Sequence, residues 1–138
     1  MSCPFCEINE KRNKIIWEGK HVFVTLSNPR LMLGHTLVIP KRHVEKLSEL
    51  YKEEKEELFE TAIKFQERVL SKISSGCDIR VHYRPFQKQN NLKVNHLHLH
   101  IRPRELEDNL YQKSQIFEKE IFTELSDEEF KKTSGELK

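Results

Sequence analysis

Seven histidines stand in a chain of 138 residues, and three of them fall within five positions. The run His96-Leu97-His98-Leu99-His100-Ile101 alternates an imidazole with an aliphatic side chain. Extended backbone has a period of two, so His96, His98 and His100 share one face, about 7 Å between successive rings. Leu97, Leu99 and Ile101 share the other. Near neutral pH an imidazole is a nucleophile, a proton carrier or a metal ligand. The run therefore reads as covalent catalysis, as a three-histidine metal site, or as solvated histidines on an edge strand. Its otherwise apolar character disfavours the last. Cys3 and Cys6 form a C-x-x-C pair, a spacing that suits metal or redox chemistry in a chain with no export signal. No βαβ pattern surrounds the pair, which argues against a thioredoxin-like role. Cys77 stands alone and is expected to sit inert in the core.

Those residues need a scaffold, and the patterning supplies one. Ile15-Ile16-Trp17 and Val22 to Leu26 flank Gly19-Lys20 and read as a hairpin. Asn28-Pro29 ends the second strand, and His35 to Ile39 forms a third, stopped by Pro40. From about Lys52 to Ser74 the period changes. Leu58, Ala62, Phe65, Val69 and Ile73 then trace the apolar stripe of a long amphipathic helix, ended by Ser75-Gly76. Cys77 to Tyr83 alternates as a fourth strand and Asn95 to Ile101 as a fifth. The expected fold is α+β, an antiparallel sheet of about five strands under one long helix. Cys3 to about Arg12 is expected to form a short helical turn. Residues 105–124 show no clean period; a capping box at Ser126-Asp127-Glu128-Glu129 predicts a short helix toward Lys132, and Thr133 to Lys138 reads as a loose end.

Composition removes several function classes. With 24 basic and 22 acidic residues the net charge is +2, so nucleic acid is not an expected partner. No apolar run approaches the roughly 18 residues of a membrane helix. Met1 to Cys6 lacks the basic and apolar regions of a secretory signal, so the reading is a cytoplasmic protein without a membrane partner.

The alternating run matches the H-φ-H-φ-H-φ motif of the histidine triad (HIT) superfamily of nucleotide-binding proteins. Gly34-His35-Thr36-Leu37-Val38-Ile39-Pro40-Lys41-Arg42-His43 resembles that family's other diagnostic stretch, in the same order with a helix between. The likeness covers about Cys3 to Arg104, so residues 1–104 are read as the HIT domain. Residues 105–138 are read as an extension that packs on it or trails from it.

The resemblance implies a nucleotide hydrolase or nucleotidyltransferase. Such enzymes cleave a nucleoside phosphate derivative, either a dinucleoside polyphosphate or a nucleoside phosphoramidate, at the α-phosphorus. Carried over by position, His98 is the nucleophile that forms a nucleotidyl-imidazole, His100 binds the phosphate or leaving group, and His35 supports them. A hydrogen bond from the far ring nitrogen of His98, often to a backbone carbonyl, would fix its tautomer. The zinc-containing branch implies a structural zinc on Cys3, Cys6, His43 and His96. Where family members carry an acidic or amide ribose-binding residue, this chain has Ser27 beside Asn28. Where they carry Gly-Gln it has Gln89 to Asn95, with Asn90, Asn91 and Asn95 as candidate phosphate-site amides and Asn91 preferred. Arg84, Lys88 and Lys93 are further candidates to attract phosphate. Phe5, Ile8, Trp17 and Phe23 suit a base pocket or the core. His21 and His82 receive no role. A homodimer is implied. The alternative is a zinc-stabilised nucleotide-binding protein with little turnover, which the serine at position 27 favours.

Overall fold

The computed structural model describes residues 3–8, 14–90 and 92–138. The first hairpin joins β1 (Ile15–Glu18) to β2 (Val22–Leu26), and Gly19 N–H closes its turn on the Val22 carbonyl. There follow β3 (Thr36–Pro40), the 21-residue helix α1 (Lys52–Lys72), β4 (Gly76–Val81) and β5 (Leu99–Arg104). All neighbouring strands run antiparallel in the order β1-β2-β3-β5-β4. This is the α+β sheet and long helix that the patterning predicts.

Every residue of the central strand β3 is buried, because both faces of the sheet are covered there. Under α1, Val22, Val24, Val38, Leu99 and Ile101 pack against Leu58, Ala62, Phe65 and Val69. On the opposite face Phe23, Leu37 and Ile39 pack with Phe5. Directly paired residues of antiparallel strands point to the same side. His100 lies opposite Leu37 and Arg80 opposite His100, so both belong to the face away from the helix.

Two carboxylates near the start of α1 tie loops to the helix. Glu57 accepts from the backbone N–H groups of Lys20 and His21 and holds the hairpin turn. Glu54 is 4% exposed and accepts from Arg42 Nε at 3.1 Å, Arg42 Nη2 at 2.8 Å and Tyr51 N–H at 2.7 Å. Those hydrogen bonds, that to Arg42 foremost, hold its carboxyl below the usual range. Arg42 is thereby fixed, and with it the neighbouring His43.

Several expected boundaries move. The fifth strand begins at Leu99 rather than Asn95, because the preceding segment is drawn out of the ladder. Leu97 N–H donates to the Val44 carbonyl, and His96 Nε2 lies 2.7 Å from the Pro40 carbonyl. The strand continues instead to Arg104 through Pro103, which β5 tolerates because its pairing with β3 ends at Ile101. Ile73 leaves the core stripe and is 53% exposed, since α1 has ended one residue earlier. Of the expected N-terminal turn, Cys6 and Glu7 N–H groups both donate to the Cys3 carbonyl; Asn9 to Arg12 lie outside the described residues.

Residues 1–105 and 106–138 form two compact units. The second contains α2 (Asn109–Ile121), which the scattered apolar residues did not reveal, and α3 (Asp127–Leu137). Asp108 caps α2 by accepting from Tyr111 N–H at 2.6 Å. The predicted Ser126–Glu129 capping box opens α3, which runs on through the expected loose end.

Leu58 is fully buried between α1 and the sheet. Replacing it with alanine should cost about 2–5 kcal/mol in urea unfolding at constant m-value. A loss below about 1 kcal/mol would contradict that packing.

Candidate functional site

The site begins with a turn. Gly34 has φ of +85°, a left-handed conformation, and a Cβ there would meet Ile73 and Pro103 at 3.0 and 3.1 Å. The turn delivers His35 to the head of β3, where it is 4% exposed. Its Nδ1 accepts from Leu31 N–H at 3.2 Å, so its proton resides on Nε2. That nitrogen lies 2.9 Å from His100 Nδ1 and donates to it, which leaves His100 with its own N–H on Nε2. Two backbone-anchored steps thus turn His100 into a hydrogen-bond donor.

His98 takes the opposite polarity. Its Nδ1 lies 2.7 Å from the His96 carbonyl and donates to it, so its lone pair sits on Nε2. The His98 and His100 rings are 4.6 Å apart, closer than the separation expected for alternate positions of a regular strand. The reason is that His98 precedes β5, and its ring is turned by the His96 carbonyl. The edge of Phe5 packs on both His98 and His96, at 5.1 and 5.8 Å between centroids.

Burial keeps these rings neutral. It lowers the pKa of His35 to about 4, with Arg102 and His98 adding to the effect. His100 falls to about 2 through burial and the adjoining His98, His35, Arg102 and His82. His98 is lowered by burial and partly restored by its bond to the His96 carbonyl.

His96 faces away from this group. Cys3, Cys6, His43 and His96 bring their ligand atoms within 4.8 Å of one another, a set that could hold a metal ion. Cys3 Sγ is 3.3 Å and Cys6 Sγ 3.6 Å from His96 Nδ1; His43 Nδ1 is 3.4 Å from Cys6 Sγ and 3.1 Å from His96 Nδ1. The Pro40 carbonyl accepts from His96 Nε2, so the His96 lone pair points into the cluster. Donor lone pairs converging on one point repel unless a cation lies between them.

The two groups the sequence analysis separated are therefore each brought together: His35, His98 and His100 in one, Cys3, Cys6, His43 and His96 in the other. Ser27 adjoins the first through its backbone N–H, which donates to the His35 carbonyl, but its hydroxyl donates to the Pro29 carbonyl at 2.8 Å. Asn28 is exposed beside a cis peptide bond to Pro29. Asn91 lies outside the described residues. Phe5 and Phe23 pack in the apolar cluster away from α1, with Ile8 against it, whereas Trp17 packs on the helix side. Cys77 is half-buried against the core, and burial raises its thiol.

A cleft of about 190 Å³ opens beside the imidazoles, lined among others by His82, Arg84, Lys93, His98, His100 and Arg102. Sequence reasoning missed His82, whose ring is 5.3 Å from that of His100, and Arg102. Their signal was the same alternation, carried one step further: His98, His100, Arg102 into and along β5, and Asp78, Arg80, His82 along and just past β4.

Comparison with known proteins agrees with this architecture. The family model described as HIT domain matches residues 9–107. An uncharacterized HIT-like protein of Methanocaldococcus jannaschii is 38% identical over 106 residues, covering 74% of this chain and 78% of that one. A Zn-bound histidine triad family protein from Mycobacterium smegmatis superposes with a TM-score of 0.66 at 28% identity, covering 80% of each chain. A HIT family protein from Bacillus anthracis shares the fold, with a TM-score of 0.70 at 22% identity over 99% of this chain and 94% of that one. With the alternating histidines, the sheet that carries them and the matched domain all in agreement, the chain belongs to the HIT domain family.

Proposed function

We propose that this chain is a nucleotide hydrolase or nucleotidyltransferase acting at the α-phosphorus of a nucleoside phosphate derivative through a nucleotidyl-His98 intermediate. The observation that carries this reading is the opposed polarity of two adjacent imidazoles. His98 presents a lone pair on Nε2 beside His100, whose Nε2 carries a proton. A nucleophile next to a fixed donor is what phosphorus substitution requires, because the phosphoryl oxygens gain charge as the bond forms. His98 Nε2 bonds to phosphorus as the bond to the leaving group breaks; an acceptor then bonds to phosphorus and the P–N pair returns to Nε2. His35 holds His100 in its donor tautomer.

A second reading, nucleotide binding with little turnover, is favoured by Ser27. Its hydroxyl donates to the Pro29 carbonyl, so it meets a ribose hydroxyl only as a neutral acceptor, where a carboxylate would accept more strongly. In that reading the same histidines hold a phosphate without being modified.

We assign zinc to Cys3, Cys6, His43 and His96. Tetrahedral zinc with bonds of about 2.3 Å to sulfur and 2.0–2.1 Å to nitrogen spaces its ligands by about 3.3–3.8 Å. Four of the six separations among the ligand atoms run from 3.1 to 3.6 Å, and all six lie within 4.8 Å. Four protein ligands close the coordination sphere, so the metal is structural. Three free cysteines suit a reducing cytoplasm. Among the described residues no helix is long and apolar enough to cross a membrane.

We also propose a homodimer. Beside its core stripe, α1 carries a second row, Phe59, Ile63 and Leu70, continued by Ile73 just past its end, all exposed. Ile79 and Val81 of edge strand β4 are exposed as well. Ile79 pairs with Ile101 and so points to the helix side, continuing the patch. A second copy related by a two-fold axis presents the same row and the same unpaired edge.

Incubation with adenosine phosphoramidate or a dinucleoside polyphosphate, quenched in acid, should raise the protein mass by one nucleotidyl group. His98→Asn should abolish both adduct and turnover; turnover that survives the substitution sinks the mechanism, and binding without any adduct selects the second reading. Metal analysis of protein purified without added metal should find about one zinc per chain. Cys6→Ser should reduce that content, whereas zinc-free native protein of unchanged stability would remove the assignment. In sedimentation the protein should behave as a dimer and Ile63→Glu as a monomer; a monomeric parent protein would refute the interface.

A further inference from the structure

The sheet face away from α1 changes chemistry from one edge to the other. Over β2 and β3 it is apolar, with Phe23, Leu37 and Ile39. Over β5 it carries His98 and His100, and one step further Arg102. On β4, Arg80 stands opposite His100 and Asp78 opposite Arg102, and Arg84 and Lys93 line the cleft beyond.

Among the described residues Arg102 completes no ion pair. Its Nε is buried and meets no hydrogen-bond partner among the described residues. Two carboxylates stand near. Asp78 Oδ2 lies 3.9 Å from Arg80 Nη2 and 3.7 Å from Arg104 Nε, and Glu45 lines the cleft. They face four guanidinium groups, Arg80, Arg84, Arg102 and Arg104, together with Lys93, whose ammonium donates to the Arg84 and Gln87 carbonyls. Positive charge remains in excess. Burial, with Arg80 and Arg104 alongside, lowers the pKa of Arg102. A buried donor without a partner, crowded by like charges, is a place where an anion is stabilised.

We propose that Arg102 and Arg84 form the subsite for a polyphosphate leaving group, which makes nucleoside polyphosphates, rather than phosphoramidates, the substrate class of this site. The inference rests on reading His98 as the nucleophile. When His98 Nε2 bonds to the α-phosphorus, the bridging P–O bond breaks and its electron pair departs on the terminal oxygen of the oligophosphate. That oxygen gains negative charge, which a guanidinium beside His100 compensates. An amine leaving group needs a proton instead, and arginine keeps its protons. In the second step a water oxygen bonds to phosphorus, the P–N pair returns to Nε2, and the proton passes to solvent. The apolar end of the face then lies on the side away from the departing phosphates.

The test compares kcat/KM for diadenosine triphosphate, ATP and adenosine phosphoramidate. The parent protein should prefer both polyphosphates to the phosphoramidate by at least about tenfold; turnover of ATP shows that the phosphate chain is read without a second nucleoside. Arg102→Gln should lower the ratio of polyphosphate to phosphoramidate turnover by about ten- to a hundredfold, as loss of a charged hydrogen bond implies. Arg102→Lys should restore part of it. Arg84→Gln, on an exposed loop, should shift the ratio in the same direction without loss of thermal stability. An unchanged ratio in both glutamine variants overturns the subsite. Should no substrate be turned over, the proposed activity fails separately, and the subsite is judged by binding. His98→Asn protein should then bind ATP at least about tenfold more tightly than AMP, a difference that Arg102→Gln removes. Equal affinities for ATP and AMP overturn it.

Discussion

The histidine face depends on where the backbone of residues 95–98 is held, and a buried hydrogen bond anchors that segment. His96 is 2% exposed, and its Nε2 donates to the Pro40 carbonyl at the end of β3. That contact, with Leu97 N–H on the Val44 carbonyl, lifts the segment out of the sheet just before β5 begins. Three results follow from this one anchor. The His96 lone pair is turned toward Cys3, Cys6 and His43. The His96 carbonyl is turned toward His98. Leu97 is turned into the core under the helix.

Neutrality is the second constraint. Four imidazoles packed between a sheet and the Phe5 turn would repel one another if charged. Desolvation removes that possibility at neutral pH, and the remaining question is which nitrogen of each ring carries the proton. Backbone groups answer it in every case: Leu31 N–H for His35, and through it His100; the His96 carbonyl for His98; the Pro40 carbonyl for His96. The main chain, and not the side chains, sets the polarity of the rings.

Much of this was legible from residue types. Alternation located the strands and the 3.6-residue stripe located α1, while the Cys3–Cys6 spacing gained His43 and His96 as companions only through the family resemblance. What was not legible arose from tertiary contacts. A perfect period of two around the triad concealed a break in the strand, because side-chain alternation does not report whether the backbone is in the ladder. His82 and Arg102 continue the alternation of their segments, but only the register of β4 against β5 shows that both extensions meet beside His100. α2 was missed because its apolar residues follow no clean period in the sequence, and only the cap at Asp108 marked its start.

The acceptor that orients His98 belongs to no side chain. Loss of Cys3 or Cys6 removes one of the four candidate metal ligands, but it touches neither the His96 carbonyl that fixes the His98 tautomer nor the bond to Pro40 that aims it. The two duties of residue 96 are thus unequally exposed to genetic drift. The candidate ligand set is open to single-codon loss at either cysteine, while the polarity of the neighbouring imidazole is written into the path of the chain. As long as Leu97 keeps its grip on Val44, a descendant that had given up its cysteines would still inherit a correctly poised His98.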